Sequence, residues 1–141
     1  MRVYWKILVV LFISRLFFSL SIYSQPHNTD SLENLLVSAN DKNKVGYFNL
    51  LSKEYHALND FERSLENGKK ALELAKKLGN RGEKAEALFN IGNSYLLNKS
   101  YEEAIEFLHN ALTEYKELQN APQISQTFIK LGLAYYKQGV F

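Results

Sequence analysis

One eight-residue stretch, LFNIGNSY from Leu88 to Tyr95, decides the fold of this chain. Its pattern occurs 40 residues earlier as FNLLSKEY, which starts at Phe48, and 40 residues later as FIKLGLAY, which starts at Phe128. An aromatic residue stands six positions after each tyrosine, at Phe61, Tyr101 and Phe141. A fixed period of about 20–50 residues is the signature of stacked repeats, each of which buries one face on its neighbours. The pattern therefore predicts a repeat protein.

Each copy is predicted to be a helix, a short turn and a second helix. In the second copy, apolar residues recur every three or four positions from Glu83 to Leu97, which indicates a helix with one buried face. The spacing of Ser100 and Glu103 predicts a capping box at the start of the next helix. In the first copy, Asp60 is the predicted N-cap of the second helix and Gly79 is its predicted left-handed C-cap.

Small residues stand beside the apolar face at the same place in every copy. Gly92 and Gly132 take this position in the second and third copies, and Ser52 takes it in the first. A glycine inside a helix costs ~1 kcal/mol relative to alanine. That cost is explained if a larger side chain at this position would clash with the partner helix.

These positions resemble the tetratricopeptide repeat, and the second copy fills all of them, with Leu88, Ile91, Gly92, Tyr95, Tyr101, Ala104 and Ala111-Leu112. The resemblance covers about residues 44–141, with a period of 40 residues, longer than the roughly 34 that are usual. It implies an all-α fold of helix-turn-helix units stacked in a right-handed superhelix. It also implies a concave groove that binds a protein or an extended peptide.

The N-terminal residues 1–24 are predicted to be a signal peptide. They begin with the basic Arg2 and Lys6, continue with a short apolar run and end with small residues. The alternative is a retained membrane anchor, which the charge of Arg15 within the apolar run disfavours. Cleavage would place the protein in the periplasm or outside the cell.

The remaining chain is predicted to have two parts. Residues 25–43 form a polar leader, with a short helix that starts in a capping box at Asp30 and Glu33 and a loop at 40–43. Residues 44–141 hold two full repeats and the first helix of a third. Because the third copy stops before its second helix, we expect the chain to be the front of a longer protein whose open end self-associates.

Composition and motifs argue against several functions. Three of the 17 basic residues and none of the 15 acidic residues lie in residues 1–24, so the rest carries 14 basic against 15 acidic residues. This balance gives no electrostatic case for nucleic-acid binding. The chain has no cysteine, and its three histidines, His27, His56 and His109, show no metal-ligand spacing. No catalytic motif is present, so we predict neither a metal, nor a cofactor, nor an enzyme.

The predicted partner-binding residues lie off the core face of each first helix, at Asn49, Lys53, Phe89, Asn90, Asn93, Ile129, Lys130 and Tyr136. Asn90 and Asn93 are the main candidates, because a carboxamide both donates and accepts hydrogen bonds and because asparagine has poor helix propensity. In related repeat proteins, such asparagines hold peptide ligands. Solvated surface is the alternative interpretation of the same residues.

Taken together, these features favour a protein- or peptide-binding scaffold. The resemblance implies the exported sensory or interaction region of a larger bacterial signalling protein, such as a sensor kinase or regulator. The alternative is a secreted structural repeat protein that assembles with itself through its open repeat end.

Overall fold

The computed structural model describes residues 28–139, and within this range the chain forms six α-helices joined by short turns. In chain order they are α1 (Asn28–Ser38), α2 (Asp41–Ala57), α3 (Phe61–Leu78), α4 (Arg81–Leu97), α5 (Tyr101–Glu117) and α6 (Ala121–Gln138). Each helix packs on the next, and the first helices of the repeats also pack on one another, α2 on α4 and α4 on α6. This arrangement confirms the predicted all-α stack of helical repeats. The predicted signal peptide, residues 1–24, lies outside the described residues, as does Phe141.

The turns between the helices repeat one local geometry every 20 residues. Helices α2 to α6 each follow an N-cap residue, at Asn40, Asp60, Asn80, Ser100 and Asn120. Except at Ser100, the cap side chain accepts a hydrogen bond from the backbone N–H three residues later. Each of these bonds satisfies one backbone donor that the first turn of a helix leaves without a partner.

Two predicted caps are correct and the third is wrong. Asp60 accepts from the backbone N–H of Arg63 at 3.0 Å, as predicted. Ser100 occupies the predicted N-cap position, but its hydroxyl makes no capping bond and accepts instead from Nδ2 of Asn98 at 3.2 Å. The predicted capping box at Ser100 is therefore wrong, because the neighbouring carboxamide engages the hydroxyl. At the other end of α3, Gly79 is the predicted left-handed C-cap, with φ 63°.

The segment before the repeats differs from its prediction in two details. The predicted short helix is α1, but Asp30 lies inside its first turn and does not cap it. Glu33, the other member of the predicted box, accepts a hydrogen bond from Oη of Tyr55 at 2.5 Å and so ties α1 to α2. The predicted loop at 40–43 is also wrong, because Asn40 caps α2 and the helix begins at Asp41.

Glycine allows close approach at two helix contacts. A Cβ atom at Gly92 on α4 would lie 2.8 Å from Cγ of Leu108 on α5, which is closer than van der Waals contact permits. A Cβ atom at Gly68 on α3 would lie 2.9 Å from Cγ1 of Ile91 on α4. The first contact joins the two helices of one repeat, and the second joins neighbouring repeats. The predicted reason for Gly92 is thus confirmed.

Three serines form a buried polar network where the first two repeats meet. Ser52 donates to the backbone oxygen of Ser64, and Ser64 donates to that of Ser52, both at 2.8 Å. The hydroxyl of Ser64 also lies 2.7 Å from that of Ser94 on α4. Because all three hydroxyls are buried and all have partners, the network specifies the spacing of α2, α3 and α4 without leaving an unpaired polar group.

The apolar core is continuous across α4, α5 and α6, and includes Leu88, Phe89, Leu108, Leu112, Tyr115 and Leu131. A smaller cluster of Leu32, Leu51 and Tyr55 joins α1 to α2. Among the helices of residues 28–139, none has the combination of length and apolar character that crossing a bilayer requires.

Candidate functional site

The main candidate site is a cavity of about 170 Å³ walled by the first helices α2, α4 and α6. We call it the interhelix cavity. Amide, charged and aromatic side chains form its wall, namely Ser52, Lys53, His56, Glu86, Phe89, Asn90, Asn93, Gln123, Gln126 and Lys130. Because each of the three helices comes from a different repeat, the cavity exists only when the repeats are stacked.

The structure brings together five of the predicted binding residues, since Lys53, Phe89, Asn90, Asn93 and Lys130 all line the interhelix cavity. It separates the other three from them. Asn49 lines a neighbouring pocket beside Glu83, and Ile129 and Tyr136 are exposed residues of α6 that do not line the interhelix cavity.

Two of the predicted asparagines hold adjacent repeats together. Nδ2 of Asn49 donates to the backbone oxygen of Glu83 at 3.1 Å and to its carboxylate at 2.7 Å. Nδ2 of Asn90 donates to the backbone oxygen of Asn49 at 3.2 Å. Both side chains are buried, so the interpretation of these residues as solvated surface is wrong. Asn49 is also not a free peptide-binding group, because its amide nitrogen is occupied by Glu83.

Asn93 is different from these two asparagines. It is 8% exposed, yet its Oδ1 has no hydrogen-bond partner. Within residues 28–139, Oε1 of Gln123 is the other buried side-chain oxygen without a partner, and both residues line the interhelix cavity. A buried acceptor that lacks a donor costs ~1–3 kcal/mol. Because most buried polar groups in folded proteins are paired, two such acceptors at one cavity mark the cavity as the candidate site.

The charged groups at the cavity wall come from all three helices. Lys53 and Lys130 are cationic, and Glu86 is their acidic counterpart. Glu86 also accepts a hydrogen bond from Oη of Tyr115 at 2.8 Å. Burial and the nearby Glu86 carboxylate both raise the pKa of Tyr115, so this hydroxyl stays protonated and remains a donor.

His56 is the remaining titratable group in the cavity wall. Burial lowers the pKa of His56, because the protein interior disfavours the charged imidazolium. The positive charge of Lys130 lowers the pKa of His56 further. The imidazole is therefore mainly neutral at neutral pH.

The sequence-based prediction missed several of the cavity residues, namely His56, Glu86, Gln123 and Gln126. One signal was available in the case of the glutamines. Gln123 and Gln126 precede Lys130 at helical spacings on the same helix, so one face of α6 carries all three. His56 and Glu86 had no comparable signal, because their neighbours in the cavity come from other repeats.

Comparison with known protein families agrees with this geometry. Residues 45–78, which span most of α2 and all of α3, match the tetratricopeptide repeat, and so do residues 85–118, which cover most of α4 and all of α5. Residues 45–78 and 85–118 are therefore tetratricopeptide repeats (TPRs). The helices α2, α4 and α6 begin at Asp41, Arg81 and Ala121, which are 40 residues apart.

One curated protein is similar to part of this chain. Response regulator aspartate phosphatase E of Bacillus subtilis (strain 168) is 29% identical over 92 residues, which are 64% of this chain. The chain spans about a quarter of the length of that relative, with 24% covered.

Two solved structures share the fold. The TPR domain of Arabidopsis FLU superposes with a TM-score of 0.67 and 23% identity, over 71% of this chain and 84% of that domain. Aspartyl phosphate phosphatase F from Bacillus subtilis superposes with a TM-score of 0.69 and 20% identity, over 79% of this chain and 30% of the phosphatase. At these identities the likeness shows the fold alone.

Proposed function

We propose that this TPR domain is a scaffold that binds an extended peptide segment of a partner protein, with the interhelix cavity at the centre of the binding surface. The observation that carries this proposal is the pair of buried acceptors without partners, on Asn93 and Gln123. Backbone N–H groups of a peptide supply the donors that these oxygens lack. Lys53 and Lys130 are placed in the same wall to bond the carbonyl oxygens of that peptide.

The proposed cellular role is the exported sensory or interaction region of a larger signalling protein. The partial match to a response regulator aspartate phosphatase supports a regulatory role for the repeats. Export rests on the basic and apolar pattern of residues 1–24, with a retained anchor as the alternative. We further propose that the domain binds its partner without transforming it.

We expect a random peptide library displayed on phage to yield peptides that bind the chain, and Asn93→Ala to weaken the selected peptides by ~10-fold. That loss corresponds to the one or two hydrogen bonds that the carboxamide makes with the peptide. Titration of each peptide against both proteins measures the loss. Asn110→Ala is the matched control, because Asn110 is an exposed asparagine on α5 and away from the cavity. Selection of no peptide, or equal losses in both variants, contradicts the proposal.

A second candidate function, self-assembly, is favoured by the outer face of α6. Five large apolar or aromatic side chains are exposed there, with exposed fractions of 37% to 71%: Phe128, Ile129, Leu133, Tyr135 and Tyr136. Exposed apolar side chains that are close together on a surface promote association. A Cβ atom at Gly132, on the same helix, would contact nothing within 4 Å, whereas Leu108 fills the corresponding space beside Gly92.

If this face mediates self-assembly, light scattering will show a mass that increases with protein concentration, and Ile129→Lys will return the chain to a monomer. Ile129 is the most exposed member of the group, at 71%, so its replacement leaves the core intact. Val37→Lys on α1 is the control, because Val37 is also exposed but lies at the opposite end of the stack. A monomer at all concentrations would exclude self-assembly.

A further inference from the structure

The charge of the interhelix cavity favours an anion. Lys53 and His56 face it from α2, Glu86 from α4 and Lys130 from α6. The carboxylate of Glu86 already accepts a hydrogen bond from Tyr115. The two lysines thus contribute one positive charge more than Glu86 offsets. Lys53 is exposed and Lys130 is half-buried, so the ammonium of Lys130 attracts a carboxylate more strongly than it would in bulk water.

The size of the cavity limits what that anion is. About 170 Å³ admits a side chain and excludes a folded element. The acceptors of Asn93 and Gln123 in the same wall require donors, which the backbone of a peptide carries. A peptide with an acidic side chain satisfies both requirements, because its N–H groups reach the amide oxygens while its carboxylate reaches the lysines.

We propose that an aspartate or glutamate side chain of the bound peptide enters the interhelix cavity between Lys53 and Lys130, and that His56 takes up a proton as it binds. This inference rests on the proposed peptide-binding function. It adds to that function the chemical class of the anchoring side chain and a dependence of affinity on pH.

The coupling to His56 follows from the charges around it. In the free protein, burial and the charge of Lys130 hold the pKa of His56 below its ordinary value. A carboxylate beside Lys130 opposes that charge, so the pKa of His56 is higher in the complex than in the free protein. Well above the pKa of His56 in the complex, the affinity does not depend on pH. The affinity increases as the pH falls through that pKa, and it becomes constant again below the pKa of His56 in the free protein.

The test uses amidated peptides from the phage selection, in pairs that differ only by glutamate or glutamine, so that no terminal carboxylate is present. We expect the glutamate peptide to bind more tightly at about pH 5.5 than at about pH 7.5, by at most about tenfold for each unit by which binding raises the pKa of His56. The affinity of the glutamine peptide is expected to stay constant. Lys130→Gln should weaken the binding of the glutamate peptide by a larger factor than that of the glutamine peptide.

Two histidine variants assign the proton. His56→Gln is expected to abolish the pH dependence and to keep the affinity at the higher pH, because glutamine mimics the neutral imidazole. His109→Gln is the control, since His109 is an exposed histidine on α5 that contacts Tyr135 outside the cavity. Calorimetry of the unmodified chain in two buffers of different ionisation enthalpy measures proton uptake directly, and so does not depend on whether any variant folds.

The outcomes separate the two proposals. The inference is supported if the chain takes up a proton when it binds the glutamate peptide but not when it binds the glutamine peptide, and if the His56→Gln variant takes up none. Equal, pH-independent binding of both peptides overturns it but leaves peptide binding in place. A chain that selects no peptide overturns the proposed function and this inference together.

Discussion

Gly92→Leu is expected to lower the free energy of unfolding by ~1–3 kcal/mol, the usual cost of overpacking a core. Even the first added carbon would lie 2.8 Å from Cγ of Leu108 and 3.3 Å from its backbone nitrogen. Leu108 is fully buried, so any movement of its side chain would displace the residues packed around it. The better helix propensity of leucine offsets at most ~1 kcal/mol of this cost.

Gly132→Leu is the matched control, because Gly132 takes the same position in the third copy. A Cβ atom there would meet nothing within 4 Å, so the propensity gain of up to ~1 kcal/mol should appear as a stabilisation. Denaturant melts of both variants measure the two changes in the free energy of unfolding. If both substitutions change the free energy of unfolding in the same direction, the contact between α4 and Leu108 of α5 is not what determines the effect of a larger side chain at this position.

Asn93→Leu is expected to stabilise the free chain by ~1–3 kcal/mol while it weakens peptide binding. The substitution replaces a buried carboxamide, whose Oδ1 has no partner, with an apolar side chain of similar size. It therefore removes the desolvation cost of an unsatisfied acceptor. A polar group that has no hydrogen-bond partner until the ligand binds lowers the stability of the free protein. Replacing such a group therefore commonly raises stability while it weakens binding.

Asn90→Leu is the comparison for this second prediction. Asn90 lies three residues before Asn93 on the same helix, but its amide donates to the backbone of Asn49. We expect this variant to lose ~1 kcal/mol of stability, because a satisfied hydrogen bond between repeats disappears. Equilibrium unfolding of both variants provides the check. If Asn93→Leu destabilises the chain as much as Asn90→Leu, the carboxamide of Asn93 is a structural group and the assignment of the cavity fails.

Much of the fold was predictable because the information is local or periodic. The 40-residue spacing of the aromatic, glycine and tyrosine positions predicts the stacked helix pairs without any coordinates. Caps such as Asp60 and Gly79 were identified because their hydrogen bonds or backbone angles involve residues within one turn. Asn40 was assigned to a loop, since asparagine is as common in turns as at N-caps and only the three-dimensional path of α2 distinguishes the two.

The candidate site was predictable in part. The side chains that project from the first helices could be named, because helical spacing alone says which residues share a face. The sequence did not show which of these side chains bond to a neighbouring repeat and which are left without a partner. Asn49 and Asn90 are 41 residues apart, and Asn90 has a structural bond only because α2 and α4 lie side by side.

By itself, the amino-acid sequence determined that this chain is a stack of paired helices, because each repeat carries its own apolar face, its own turn and its own small residue at the helix contact. The tertiary structure alone decided which polar residues are satisfied and which are not. Hydrogen bonding and desolvation depend on the neighbours that packing provides, and in the interhelix cavity those neighbours come from three different repeats. For that reason Gln123 and His56 became candidates, and the role of Asn93 was separated from that of Asn90, only when α2, α4 and α6 were placed together.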